Sequence, residues 1–181
     1  MRQYQDQQLS GLNKLARGFW LCVYWVLFRF SPVPLHTWRA SLLRLFGASV
    51  GKKVRIYPSA RIWAPWNLTM ADESCIGPGV DCYCVDRVEL GPRSVVSQRA
   101  FLCTAGHDYN RQGLPLITAP IVLYADAWVT AEVYVGPGVV LHEGAVALAR
   151  SVVVRDVEAW CVVAGNPAKP VKRRARLGGE A

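Results

Sequence analysis

The sequence predicts an all-β repeat fold, a parallel β-helix of stacked three-sided coils over residues 48–164, and three observations predict it. From Leu123 to Val157 the chain repeats every six residues, opening its hexads on Leu123, Val129, Val135, Leu141, Ala147 and Val153. The fifth place of each hexad is small or β-branched: Ala127, Val133, Val139, Ala145, Ser151 and Val157. Gly, Pro and Asp gather between these places, where tight turns need them. A six-residue period suits neither a helix nor an alternating strand and is the mark of a parallel β-helix. Three hexads close one triangular coil, with the opening residue filling the interior and the fifth near a corner that admits only a modest side chain.

The same phase runs upstream. Val50, Ile56, Ile62 and Leu68 lie six apart, with Val54 and Ala60 at fifth places and the bulky Trp66 breaking the rule. After an irregular step, Ile76-Gly-Pro-Gly-Val80 restarts the pattern, and a slip of two residues leads to openers at Cys84, Leu90, Val96 and Leu102. The period then vanishes over 103–122, an insertion that carries Thr104-Ala-Gly-His-Asp108. Repeat proteins expel insertions onto one face, often the binding face.

Residues 1–47 form a different segment. Leu12 to Phe30 and His36 to Phe46 read as two amphipathic helices, separated by Ser31-Pro-Val-Pro34 and ended by Gly47 as a C-cap. The uncharged stretch between Arg17 and Arg29 is too short for a bilayer, which needs about 20 apolar residues. Two readings are compatible: a cap on the open end of the β-helix, and an interfacial anchor making peripheral membrane contact through residues 12–46.

The chain has 181 residues, 52 % hydrophobic and 19 % charged, with a net charge of +8. Such an apolar balance points to outer faces buried by self-association. The charge sits at the ends: Arg2, Lys14, Arg17, Arg29, Arg39 and Arg44 in residues 1–47, and Lys169, Lys172, Arg173, Arg174 and Arg176 in the basic tail, residues 165–181. Basic ends on a neutral body argue against a nucleic-acid groove and suit a membrane surface and a phosphorylated small molecule. The six cysteines form no Cys-x-x-Cys pair, and no metal site is expected. The polar start lacks a signal-peptide pattern, so a cytoplasmic location is expected, with peripheral attachment to the inner face of the membrane as its extension.

Of three histidines, His36 opens a helix and reads as structural, and His142 takes an outward hexad place. His107 differs, because it stands in the insertion, and a solenoid tolerates such a digression mainly where it serves a site.

The hexads, the Thr104-Ala-Gly-His-Asp108 loop, the Trp128-Val-Thr-Ala131 step and the Val163-Ala-Gly-Asn-Pro-Ala-Lys169 tail resemble the left-handed β-helix acetyltransferases. Within them the chain is similar to the maltose/galactoside O-acetyltransferase branch, and most like the colanic acid biosynthesis acetyltransferases of bacterial exopolysaccharide clusters. The resemblance implies a left-handed helix, a homotrimer, and acetyl-CoA as acyl donor in a groove between neighbouring subunits. It implies His107 as general base toward a sugar hydroxyl, with a backbone N–H of the β-helix wall facing the developing oxyanion and no acyl-enzyme. It places Trp128, Ala131 and Ala149 along the pantetheine track, and Lys169 and Arg173 near the CoA phosphates. Where the branch carries an Asn for the sugar, this chain has Val80-Asp-Cys-Tyr-Cys-Val-Asp86, so Asp81, Tyr83 or Asp86 is the expected acceptor contact.

Three rivals stand beside this reading. A γ-type carbonic anhydrase needs a three-histidine zinc site, which the spacing of His107 and His142 does not offer. An N-acetyltransferase of an amino-sugar nucleotide or serine would share the donor machinery. A non-catalytic, membrane-associated β-helix scaffold would make His107 dispensable.

Overall fold

The computed structural model describes residues 5–6, by their backbone, and 10–176. Residues 1–4 and 7–9 of the N-terminal segment and 177–181 of the basic tail lie outside the described residues. The repeat forms five complete three-strand coils and a partial sixth. Face 1 stacks Ser49–Val50, Leu68–Met70, Val88–Leu90, Ile121–Leu123 and Val140–Leu141 in parallel. Face 2 stacks Arg55–Ile56, Cys75–Ile76, Val95–Val96, Trp128–Val129, Val146–Ala147 and Cys161–Gly165. Face 3 stacks Arg61–Ile62, Asp81–Tyr83, Phe101–Cys103, Tyr134–Val135 and Val152–Val153. Ala168–Arg173 then folds back antiparallel on Cys161–Gly165, so that part of the tail is a strand.

The hexad openers from Leu123 onward are all buried, as are all six fifth places. Each aliphatic one contributes about 1.5–3 kcal/mol of burial. Upstream the registry differs from the sequence reading. Val50 stacks on Met70 and Ile62 on Cys82, so Met70 and Cys82 are the interior openers rather than Leu68 and Cys84. The early coils take twenty residues, Val50 to Met70 to Leu90, because the corner between faces 3 and 1 is widened by two. Leu68 and Cys84 fill that corner and are equally buried. The Asn67 side chain donates to Cys84 O (3.0 Å) and Val85 O (2.8 Å), satisfying carbonyls that the bulge takes out of the ladder. Trp66 belongs to the same widening, with its Cβ beneath Gly47 at the end of the second helix.

Corners turn through left-handed residues, and between faces 1 and 2 these stack as Lys53, Glu73, Arg93, Asp126, Gly144 and Trp160. A non-glycine residue there costs roughly 1–2 kcal/mol. The alternating charges offset part of that cost through Lys53–Glu73 and Arg93–Asp126 ion pairs. The Arg93 guanidinium, hydrogen-bonded to Asp126, holds that carboxyl below the usual range. At Gly144 a Cβ would stand 2.5 Å from the Trp160 ring, so only glycine fits.

The helical pair closes the first coil. Helix α1 spans Gly11–Val23, capped by Ser10 Oγ accepting from Asn13 N–H, and runs on as a π-helical turn over Tyr24–Phe28. Helix α2 spans His36–Leu45 and ends before Gly47, whose φ is +88°. Trp20, Tyr24, Phe28, Ala40, Leu42 and Leu43 join one core with Ile56 and Ile62 of the first coil. Arg39 is wholly buried. Its guanidinium donates to Ile56 O (2.6 Å), Ser31 Oγ (2.8 Å), Pro32 O (2.8 Å), Val33 O and His36 Nδ1 (3.2 Å), tying the interhelical turn to the second face. His36 is thereby structural.

Candidate active site

The insertion leaves the coil at the corner between faces 3 and 1 and is an antiparallel hairpin, Ala105–His107 against Leu116–Thr118, with Gln5–Asp6 adding a third strand. Its root is pinned by Thr104, fully buried, whose hydroxyl donates to Tyr83 O (2.8 Å) and accepts from Asp86 N–H (2.9 Å). Its tip turns on Asp108, which accepts from Asn110 N–H (3.0 Å), and on Leu114 in the left-handed region at φ +47°. His107 ends the first strand with its ring exposed and Nδ1 2.6 Å from Leu114 O. A carbonyl oxygen only accepts, so Nδ1 carries the proton and donates. Nε2 therefore presents a lone pair outward. A ring held in one tautomer with its free nitrogen exposed is suited to taking a proton.

The candidate donor-binding residues lie elsewhere. Ala131 and Ala149 stand one above the other at the corner between faces 2 and 3, where Arg150 N–H donates to Ala131 O (3.0 Å). Trp128 projects from face 2, 43 % exposed, with its indole N–H donating to Ser97 Oγ (2.8 Å). Lys169 begins the returning strand beside Ala164 near this corner, exposed and without a carboxylate partner among the described residues. Two small side chains, an exposed indole edge and a free cation fit an extended amide chain ending in phosphate. Arg173 does not join them. It pairs with Cys161 at the far end of the strand, across the width of face 2, and is committed to Glu158 (3.0 Å) and Ala159 O (3.1 Å). The width of face 3 also separates this corner from the hairpin corner that bears His107.

Asp81 and Tyr83 point outward from face 3, both half-buried. Burial pushes the Asp81 carboxyl up, partly countered by Arg61 at 3.6 Å. Tyr83 belongs to an aromatic ladder, Trp63–Tyr83–Phe101–Tyr134, with ring centroids 5.4, 6.4 and 5.6 Å apart. Asp86 lies at the hairpin's root, where its carboxylate accepts from Arg87 N–H (2.7 Å). Cys103 is buried with its thiol donating to Ala105 O (3.1 Å).

Sequence reading missed two features. The Leu114 carbonyl has no signature of its own, since any residue supplies one. Glu132, bonded to Arg99 and Arg150 on the coils either side, braces the Ala131 corner, and these two guanidinia hold its carboxyl below the usual range. That column follows from the hexad register and was readable. Among the described residues no group of His, Cys, Asp and Glu is arranged to hold a metal ion, and the three histidines occupy separate elements.

No family model matches the chain. Among solved structures, a maltose O-acetyltransferase from Clostridium difficile 630 superposes with a TM-score of 0.81 at 21 % identity, over 92 % of this chain and 90 % of that one. The hexapeptide-repeat acetyltransferase VCA0836 of Vibrio cholerae, complexed with acetyl coenzyme A, gives 0.80 at 23 % identity, over 92 % and 91 %. The fold is that of the hexapeptide-repeat acetyltransferases. In sequence, the colanic acid biosynthesis acetyltransferase WcaF of Escherichia coli (strain K12) is 40 % identical over 164 residues, 91 % of this chain and 90 % of the relative. The chain belongs to the WcaF family of acetyltransferases.

Proposed function

We propose that this acetyltransferase moves an acetyl group from acetyl-CoA to a carbohydrate hydroxyl, in bacterial exopolysaccharide or cell-surface glycan synthesis, with His107 as general base. The observation that carries this reading is the His107–Leu114 bond. It fixes the tautomer, so that Nε2 can accept the hydroxyl proton as the oxygen attacks. Acetyl-CoA brings its acyl group already activated as a thioester, so no acyl-enzyme is needed. Trp128, Ala131, Ala149 and Lys169 would hold the donor along the corner between faces 2 and 3, and Asp81, Tyr83 and Asp86 border the acceptor's approach. Arg173, at the far end of the returning strand and in an exposed pair with Glu158, is the more distant candidate for the CoA phosphates.

Base and donor corner stand at different edges of one subunit, which supports a homotrimer whose clefts each join His107 of one copy to the corner of the next. Mass measurement in solution should give three times the 20.1 kDa chain. A mixing experiment tests the shared site directly. His107→Ala and Ala149→Trp proteins, each inactive alone, are unfolded together and refolded at equal ratio. About a quarter of wild-type activity should return, since each cleft needs an intact residue from each neighbour. No recovery, with trimers formed, would mean the site lies within one subunit.

Peripheral membrane contact belongs to the same proposal. Among the described residues no helix is long and apolar enough to cross a membrane. The outer side of the helical pair nevertheless exposes Leu12, Leu15, Phe19, Trp25, Val26 and Phe30, with Lys14 beside them. That composition matches an anionic bilayer surface. The chain should cosediment with vesicles containing phosphatidylglycerol. The triple change Phe19→Ser, Val26→Ser, Phe30→Ser should abolish this, because those side chains lie outside the core. Unchanged sedimentation of the variant would remove the membrane from the reading.

A further inference from the structure

A cleft of about 460 Å³ opens between α1 and the lowest strands of face 3. Its charge is lopsided: Lys14, Arg17 and Arg61 line it against the single carboxylate of Asp81. Arg61 reaches that carboxylate only at 3.6 Å, too long for a firm hydrogen bond. Neither Lys14 nor Arg17 has a carboxylate partner among the described residues. The Arg17 guanidinium carbon lies over the Trp63 ring, 3.7 Å from its centroid, a contact that orders the side chain without using its N–H groups. Trp20 closes the back of the cleft, fixed by its indole N–H on Ile62 O (2.7 Å). Three cations lining a cavity with aromatic walls suit a dianion attached to a ring.

We propose that this cleft binds the phosphate of a phosphorylated carbohydrate acceptor, with Arg17, Lys14 and Arg61 around the phosphate and the sugar ring against Trp63 and Tyr83. The inference rests on the acetyltransferase reading above and deepens it. Its direction is set by the chain. Trp63 is 5.4 Å from Tyr83, and Tyr83 O receives the Thr104 hydroxyl at the root of the hairpin that carries His107. A sugar extending from the phosphate along these rings therefore heads toward the base. Asp81 lies on that path as a carboxylate acceptor for a sugar hydroxyl, beside Arg61.

The test measures binding and turnover separately on the full-length protein. Quenching of tryptophan fluorescence is titrated with inorganic pyrophosphate, glucose 1-phosphate and glucose. The two phosphates should bind and glucose should not. Arg17→Gln and Lys14→Gln should each weaken phosphate binding by about tenfold to a hundredfold, the range for one charge-assisted hydrogen bond. Arg17→Lys should recover only part of it, because an ammonium does not stack or fork. In turnover, Arg17→Gln should raise KM for a phosphorylated acceptor with kcat held. Comparing glucose 1-phosphate, UDP-glucose and a polyisoprenyl-diphosphate sugar in vesicles identifies the source of the phosphate by the lowest KM. Equal binding of glucose and glucose 1-phosphate, or unchanged binding in both Gln variants, overturns the proposal. Thiol release from acetyl-CoA with unphosphorylated sugars alone would overturn the cleft and keep the acetyltransferase. Phosphate binding with no thiol release for any sugar would do the reverse.

Discussion

Replacing His107 by alanine should lower turnover by about two to four orders of magnitude, the usual contribution of one positioned proton acceptor. Affinity for CoA should remain, because in the proposed site Trp128, Ala131, Ala149 and Lys169, and not the imidazole, would hold the donor. Thiol release from acetyl-CoA gives the rate, and equilibrium titration with CoA gives the affinity. The size follows from the chemistry. A sugar hydroxyl attacks poorly while it keeps its proton, and the hairpin presents Nε2 of His107 with its lone pair free to take it. A companion change addresses the positioning partner. Leu114 holds φ at +47°, and proline would force φ to about −65°. Leu114→Pro should therefore move the carbonyl off Nδ1 and lower kcat while the KM for acetyl-CoA stays unchanged. Leu114→Gly, which accepts the same φ, should retain activity and shows that the conformation matters rather than the side chain. Full turnover in His107→Ala would leave the scaffold reading as the better account.

The solenoid was legible because the period is chemical: a buried aliphatic residue every six positions can serve only one architecture. The hexads after Leu123 fell where the sequence put them. The early coils did not, because a two-residue widening conserves the buried pattern while changing which residue opens the coil. Leu68 and Met70 are both apolar, as are Cys82 and Cys84, and only pairing across coils distinguishes them. The insertion that carries His107 was readable as a break in the period, but the carbonyl that its ring meets was not, since a backbone carbonyl carries no sequence signal. Arg173 was offered for the CoA phosphates on the charge of its tail alone. Its tail is basic as a phosphate site would be, yet Glu158, fifteen residues back, stands beside it once the strand folds over. The cleft under α1 was hidden for a similar reason. Arg17 and Arg61 are far apart in sequence and meet only because the helix caps the first coil.

Arg39→Leu should destabilise the fold by roughly 1–3 kcal/mol, the cost of leaving one buried acceptor without its charged donor. Buried charge is ordinarily weak evidence for stability, and an apolar replacement of an ion pair is often neutral. The outcome here is decided by the partners. Among the described residues Arg39 faces no carboxylate that could be replaced with it; its acceptors are the carbonyls of Ile56, Pro32 and Val33, which remain whatever residue stands at position 39. Pro32 O keeps the Leu35 N–H (3.1 Å), and Pro32 and Val33 lie on an exposed turn where water can take the guanidinium's place, so the cost rests on Ile56 O, which is buried and loses a charged donor; one such acceptor left unpaired costs about 1–3 kcal/mol. Arg39→Lys should fall between, since an ammonium has three donors on one atom and cannot reach acceptors on both the turn and the second face. Urea unfolding at fixed protein concentration measures the change, the concentration being held because assembly shifts apparent stability. The same loss should loosen α1 and α2 from the first coil and expose Ile56 and Ile62, so limited proteolysis should cut near the Ser31–Leu35 turn before the β-helix unfolds. An unfolding midpoint equal to wild type in Arg39→Leu would mean that the apolar contacts of Trp20, Phe28 and Leu43 hold the cap without it.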